Sequence, residues 1–179
     1  MAYSSQFIRR SRWTTNKIGP PASSAPYNRS LRLLDNNDEE AFRLNRIAAE
    51  DGMHDAVLAM GWFYLNGAGV ERNEDEAIRW YRKSARQGEP RAMFSLGYIA
   101  YFRKDYSDAL KWFERALGKN HHRSSFWIGK IYWRGQGVDR DRKRAQGYFA
   151  QAAQRKIVEA QRAIRFLAFV SSRKTAKSD

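Results

Sequence analysis

Two segments that combine glycines with amide, acidic or basic side chains are the places where this sequence could bind a phosphate or a metal. Residues 66–77 read NGAGVERNEDEA, and residues 134–145 read RGQGVDRDRKRA. A Gly-x-Gly turn binds phosphate when it follows a strand and opens a helix, usually with a Lys-Ser or Lys-Thr pair nearby. Neither segment has that pair, and neither has the alternating acids and final glutamate of a calcium loop. Both are therefore interpreted as structural turns.

The three histidines are the other candidates for metal chemistry. His54, His121 and His122 fall in short connections, without a helical i, i+4 pair or an acidic cluster beside them. No Ser-His-Asp set or isolated carboxylate pair stands out. The absence of cysteine excludes disulfides, thiolate catalysis and cysteine-zinc sites. The sequence predicts no catalytic residue, no metal, no cofactor and no enzymatic activity.

The elements that carry these turns form an internal repeat. Gly61 of the first copy aligns with Gly129 of the last, and a copy between them places Gly97 in the same register without a Gly-x-Gly-Val loop. The glycines are 36 and then 32 residues apart, as a middle connection shortened by four residues predicts. A glycine inside a helix costs roughly 1 kcal/mol relative to alanine, so its recurrence predicts close packing between helices.

Each copy divides into two helical segments. The second segment has a candidate N-cap at Asp75, Ser107 or Asp141. It carries an aromatic pair that is predicted to lie in the core, and it ends at a candidate left-handed residue. The pairs are Trp80-Tyr81, Trp112-Phe113 and Tyr148-Phe149, and the end residues are Gly88, Asn120 and, as a weaker stop, Lys156.

These residues resemble the Sel1-like repeat (SLR) family, a relative of the tetratricopeptide repeats. In the first copy the pattern is carried by Ala56, Met60, Gly61, Tyr64, Gly67, Gly69, Val70, Ala77, Trp80, Tyr81, Lys83, Ala85 and Gly88. The middle copy departs most, since its short loop resembles an ordinary tetratricopeptide repeat. The resemblance covers about residues 38–172. It implies paired antiparallel helices in a curved superhelix that acts as an adaptor for other proteins.

The predicted fold class is all-α, a right-handed α-solenoid of stacked helix-turn-helix repeats with about eight helices. Residues 1–36 are predicted to be a basic, Pro/Ser-containing and largely extended arm, residues 37–172 the solenoid, and residues 173–179 a basic tail. The solenoid divides into a half-unit 38–52, repeats 56–88, 92–120 and 124–156, and a capping helix 158–172.

One row of side chains points into a groove if the first helix of each repeat lines the concave face, as in tetratricopeptide proteins. Most of the row is apolar, more than a solvated face normally carries. The predicted protein-binding residues are Leu58, Trp62, Phe94, Tyr98, Tyr101, Phe126, Lys130, Trp133 and Arg162. Two interpretations stay open: a peptide-binding aromatic groove, or core that a tight superhelix buries.

The formal net charge of +14 favours anionic partners. Residues 1–34 contain six arginines and lysines and no acid, and Phe7, Ile8 and Trp13 among them suggest an arm that docks on its own solenoid or on a partner. Candidate polyanion-binding residues are Arg9, Arg10, Arg12, Arg142, Lys143 and Arg144. A protein partner of acidic character is preferred; the alternative is a basic RNA- or ribosome-associated accessory protein.

The location predicted for the chain is cytoplasmic. No apolar run approaches the roughly 20 residues that span a bilayer, and the N-terminus lacks the apolar region of a secretory signal. If the basic arm is a transit peptide, the location is instead the mitochondrial matrix. The sequence makes no prediction of oligomeric state.

Overall fold

The computed structural model describes residues 25–34 and 36–165, which form nine helices and no strand. The helices are α1 (Ala25–Leu33), α2 (Asp38–Glu50), α3 (His54–Asn66), α4 (Glu74–Arg86), α5 (Pro90–Phe102), α6 (Tyr106–Gly118), α7 (Arg123–Arg134) and α8 (Arg142–Gln154), followed by helical residues 158–165. The chain divides into two compact units, unit 1 (residues 1–84) and unit 2 (residues 85–179), and the boundary falls inside α4. None of the described helices is long and apolar enough to cross a membrane.

In unit 1, α1 packs against α2, and α2 packs against α3. The prediction of a largely extended segment over residues 1–36 is wrong for Ala25–Leu33, which is helical. Pro26 lies in the first turn, where a helix tolerates proline, and Tyr27 and Ser30 are buried three residues apart on one face. Residues 1–24, including the proposed docking arm, lie outside the described residues, as does the C-terminal part of the predicted capping helix.

The second helix of each repeat begins at a side chain that caps it. Asn73, Asp105 and Asp141 each accept a hydrogen bond from the backbone N–H three residues later, at 3.0, 3.3 and 2.8 Å. The cap predicted at Asp141 is confirmed. Those predicted at Asp75 and Ser107 are wrong by two residues, because an earlier amide or carboxylate reaches the free N–H groups of the first turn.

The same helices end where the sequence predicts. Gly88, Asn120 and Lys156 all have left-handed backbones, with φ of 88°, 64° and 59°. Glycine and asparagine adopt this conformation more readily than lysine, so Lys156 carries the strain that a weaker stop implies.

A recurring glycine in the first helix of each repeat lies directly under an aromatic ring of the second helix. A Cβ added to Gly61, Gly97 or Gly129 would fall 2.6, 2.8 or 2.9 Å from the ring of Tyr81, Phe113 or Phe149, respectively. The predicted packing role of these glycines is therefore confirmed.

The aromatic pairs of the second helices are only half core. Tyr81, Phe113 and Phe149, the second members, are buried, whereas Trp80, Trp112 and Tyr148 are partly exposed. The prediction that the first members are core is wrong, because neighbouring residues on a helix point about 100° apart and only one can face the glycine.

The Gly-x-Gly segments are helix-to-helix turns, as predicted. Gly67 and Gly135 end α3 and α7 in the left-handed conformation, and Gly69 and Gly137 also have positive φ, of 65° and 70°. Gly69 approaches the start of α2 so closely that an added Cβ would lie 2.0 Å from the carbonyl oxygen of Asp38.

Candidate functional site

In unit 1, one of the two predicted protein-binding residues is buried and the other is half-buried. Leu58 is 3% exposed and belongs to the core, so the prediction that it contacts a partner is wrong. Trp62 is half-buried and packs edge-on against Phe63, with ring centroids 5.4 Å apart. Its indole N–H is buried and has no acceptor among the described residues.

In unit 2, the same row is more accessible. Phe94, Tyr98, Phe126, Lys130 and Trp133 are half-buried, and Arg162 is exposed. Tyr101 is 6% exposed, and its hydroxyl donates to Gln136 Oε1 at 3.0 Å. Tyr101 is therefore a packing residue, and its assignment as a partner contact is wrong.

Three aromatic side chains of α5 and one lysine of α7 lie around the buried ring of Trp127, which is 8% exposed, and we name them the aromatic face: Phe94, Tyr98, Phe102 and Lys130. The ring centroid of Tyr98 lies 4.6 Å from that of Phe102 and 5.2 Å from that of Trp127. Phe102 is 44% exposed, unusually high for a phenylalanine inside an aromatic cluster. The sequence reasoning missed it, although its spacing of four residues from Tyr98 places both on one side of α5.

Lys130 places a positive charge inside this surface. Its Nζ lies 4.5 Å from the ring centroid of Trp127 and 5.0 Å from that of Tyr101. Burial lowers the pKa of Lys130, and the nearby charge of Arg134 lowers it further. In the described part of the chain, no carboxylate forms an ion pair with either cation.

His121 lies beside Phe94 at the start of α7, with ring centroids 4.5 Å apart. Its Nδ1 is 3.1 Å from Ser124 Oγ. Burial and, to a smaller extent, the charge of Arg123 lower the pKa of His121 to about 4, although the charge of Glu89 opposes the shift. The imidazole is therefore neutral near pH 7. Among the described residues, no three His, Asp or Glu side chains are grouped so that they could hold a metal.

The substitution His121→Gln should reduce the acid sensitivity of the fold. The pKa of a histidine in the unfolded chain is near 6.5, whereas that of His121 in the folded chain is about 4. Between these two pH values the unfolded chain binds a proton that the folded chain does not bind. Stability is therefore lost as the pH falls through this window. Between pH 7 and pH 4.5, the wild type should lose roughly 2 kcal/mol more than the variant in urea denaturation. Ser124→Ala retains the imidazole and should retain the sensitivity; equal curves for wild type and His121→Gln would contradict this account.

A second surface of unit 2 is basic, and we name it the basic surface: Arg140, Arg142, Lys143 and Arg144, all exposed. The guanidinium carbons of Arg140 and Arg142 lie 6.0 and 5.4 Å from the ring centroid of Trp133. The guanidinium carbon of Arg144 lies 4.3 Å from the ring centroid of Tyr132, which stacks in parallel on Tyr148. Of the predicted residues, Arg142 and Arg144 lie beside aromatic rings, and Lys143 is exposed between them in the sequence. Arg9, Arg10 and Arg12 lie outside the described residues.

Comparison with known proteins places these elements in a family. The Sel1 repeat matches residues 54–89, 90–121 and 122–156, which together make up more than half of the chain. The chain belongs to the Sel1 repeat family. The resemblance inferred from the sequence is confirmed, and Sel1 repeats mediate protein–protein interactions.

Relatives of this Sel1-repeat chain include much longer proteins. The ERAD-associated E3 ubiquitin-protein ligase component HRD3B of Arabidopsis thaliana is 28% identical over 122 residues, which cover 65% of this chain and 19% of the relative. The chitin synthase regulator SKT5 of Saccharomyces cerevisiae is 35% identical over 97 residues, covering 51% of this chain and 14% of the relative. This chain therefore spans less than a fifth of either relative.

A solved structure is similar over most of this Sel1-repeat chain. The crystal structure of a Sel1 repeat protein from Oxalobacter formigenes is 29% identical and has a TM-score of 0.72, over 78% of this chain and 60% of that one. The predicted class, an all-α solenoid of stacked repeats, is confirmed. The described residues form nine helices where about eight were predicted, and the additional one is α1.

Proposed function

We propose that this Sel1-repeat chain is a protein-interaction adaptor and that its aromatic face binds an extended or helical segment of a partner protein. The observation that carries the proposal is the exposed ring of Phe102 beside Tyr98, next to the uncompensated ammonium of Lys130. A surface built only for solvent would not hold rings in mutual contact beside a charge that lacks a counter-ion.

The rings define the apolar part of the ligand. Tyr98 and Phe102 have few rotamers and contact the buried ring of Trp127, so a side chain that packs across them removes apolar area from water at little cost in side-chain entropy. Aromatic anchors of this kind dominate the binding energy of many protein interfaces. The partner segment should therefore present at least one aliphatic or aromatic side chain.

The cations define the charged part of the ligand. Lys130 and Arg134 are one turn apart on α7, and their mutual repulsion is relieved if an anion lies between them. A carboxylate of the partner supplies that charge at the edge of the rings. The preferred segment thus carries an aspartate or glutamate close to its apolar side chain, which supports a partner of acidic character.

A peptide selection would test this specificity. Random peptides displayed on phage would be selected on the full-length chain, and the enriched sequences synthesised and titrated by fluorescence anisotropy. Acidic residues next to apolar ones should be enriched. Tyr98→Ala combined with Phe102→Ala should weaken these peptides at least tenfold, and Lys130→Gln should weaken only those that contain an acid.

Ile47→Ala is the matched control, because Ile47 is an exposed apolar residue of unit 1 that lies outside the aromatic face. It should leave the affinities unchanged. Peptides that bind the Tyr98→Ala/Phe102→Ala variant as tightly as the wild type, or enrichment without an acidic and apolar pair, would reject the proposal.

A further inference from the structure

The cations of the basic surface have no counter-ions that explain their presence. In the described ranges 25–34 and 36–165, none of Arg140, Arg142, Lys143 and Arg144 forms an ion pair with a carboxylate. Asp141 is occupied as the N-cap of α8, where it accepts a hydrogen bond from the backbone N–H of Arg144. Glu114 attracts Arg144 only at longer range.

The corresponding turn of the first repeat carries charges of the opposite sign. There α4 begins with acids, and Glu74 and Glu76 form ion pairs with Arg72 and Arg79. Acids at the start of a helix are favourable, whereas the cations at the start of α8 oppose the helix dipole. Because the glycines of both turns have the same left-handed backbone, this turn geometry does not require positive charge at the start of α8.

Aromatic rings lie beside the arginines of this surface. Arg142 lies against Trp133, and Arg144 lies against Tyr132, whose ring stacks on Tyr148 at an interplanar angle of 3°. Arg140 is fixed further by a hydrogen bond that its Nε donates to the backbone oxygen of Trp133, at 3.1 Å. These contacts reduce the freedom that the side chains would lose on binding a ligand.

We propose that the basic surface binds single-stranded nucleic acid, as a second binding site separate from the aromatic face. An exposed guanidinium beside a ring can stack on a nucleobase and donate its N–H groups to phosphate oxygens. Three of the four cations are arginines, which suit this bidentate contact better than lysine. An acidic peptide would satisfy the charge but would bring no planar bases to stack on the guanidinium groups.

Binding of the full chain to a fluorescein-labelled oligouridine, and to an oligothymidine of equal length, tests the proposal by anisotropy across salt concentrations. Arg142→Gln combined with Arg144→Gln should weaken binding at least tenfold. It should also reduce the slope of log affinity against log salt by about 1.4, since each phosphate contact to a single strand contributes about 0.7. Arg142→Lys combined with Arg144→Lys should keep the slope yet lose about threefold in affinity, because the charge remains and the stacking plane is lost.

The matched control is Lys83→Gln combined with Arg115→Gln. These cations also lie on rings, at 4.9 Å from the centroid of Trp80 and 5.0 Å from that of Trp112, but they belong to other helices. This variant removes the same net charge and should bind within about twofold of wild type. Arg142→Gln/Arg144→Gln should also retain affinity for the peptides selected on the aromatic face. The nucleic-acid proposal and the peptide-binding proposal are therefore tested independently.

Three results would overturn the assignment. No binding of either oligonucleotide would exclude the site. An equal loss of oligonucleotide affinity in the two glutamine double variants would show that binding depends on the overall positive charge of the chain and not on the basic surface. Displacement of the oligonucleotide by an equal concentration of a polyglutamate of the same charge would make the surface a site for acidic protein segments instead.

Discussion

Gly69→Ala is expected to lower the free energy of unfolding by roughly 3 kcal/mol or more, one of the largest effects of any single methyl group in this chain. Two costs combine at this position. The residue has φ of 65°, which an L side chain rarely adopts, and the new Cβ would lie 2.0 Å from the carbonyl oxygen of Asp38. The obstacle is backbone, so the turn itself must move away from α2.

Urea denaturation followed by far-ultraviolet circular dichroism measures this loss. Gly88→Ala is the matched control, because Gly88 has φ of 88° but an added Cβ would meet nothing within 4 Å. It should cost only about 1 kcal/mol, the backbone strain alone. If both alanine variants lose the same amount, the close approach of Gly69 to α2 is not what matters.

Phe113→Ala should destabilise unit 2 by about 3–5 kcal/mol, the range for a phenylalanine removed from a core. Phe113 is 0% exposed, and its ring covers Gly97, stacks on Trp127 at 5.9 Å between centroids and contacts Phe94 at 5.6 Å. The alanine variant leaves a cavity under the aromatic face, so the rings above it lose their support as well.

Chemical denaturation with Phe102→Ala as control tests this expectation. Phe102 is exposed and should change stability by less than about 1 kcal/mol. The coupling between Gly97→Ala and Phe113→Ala provides a second test. In the wild type the new Cβ at position 97 clashes with the Phe113 ring, whereas in Phe113→Ala it enters the cavity that the ring has left. The cost of Gly97→Ala should therefore fall sharply in the Phe113→Ala background, and additive costs would contradict the packing described here.

Features that recur along this sequence could be predicted from it, whereas those that depend on contacts between distant residues could not. Gly61, Gly97 and Gly129 recur at fixed steps, and that recurrence was enough to predict the helix pairs and their close packing. Helix α1 was missed because the composition around Pro26 is typical of a linker, whereas the burial of Tyr27 depends on contacts with distant residues.

The candidate site was predictable only in part. The register of the first helices selected Tyr98 and Lys130, which are half-buried, but it also selected Leu58 and Tyr101, which are buried. Helices between two neighbours bury more than one side, so a single row cannot separate core from surface. Of the two rings beside Lys130, Trp127 is three residues earlier on α7, but Tyr101 lies on α5, and no spacing along one helix indicates that contact.

The connection between α5 and α6 suggests a practical use. It is four residues shorter than its counterparts, yet Gly97 meets Phe113 in the same way as Gly61 meets Tyr81 and Gly129 meets Phe149. Loop length is thus uncoupled from the geometry of the helix pair. Residues 103–105 therefore form a natural insertion point, where a reporter, an epitope tag or a longer loop grafted from a neighbouring repeat could be accommodated while the stacking of α5 on α6 is preserved.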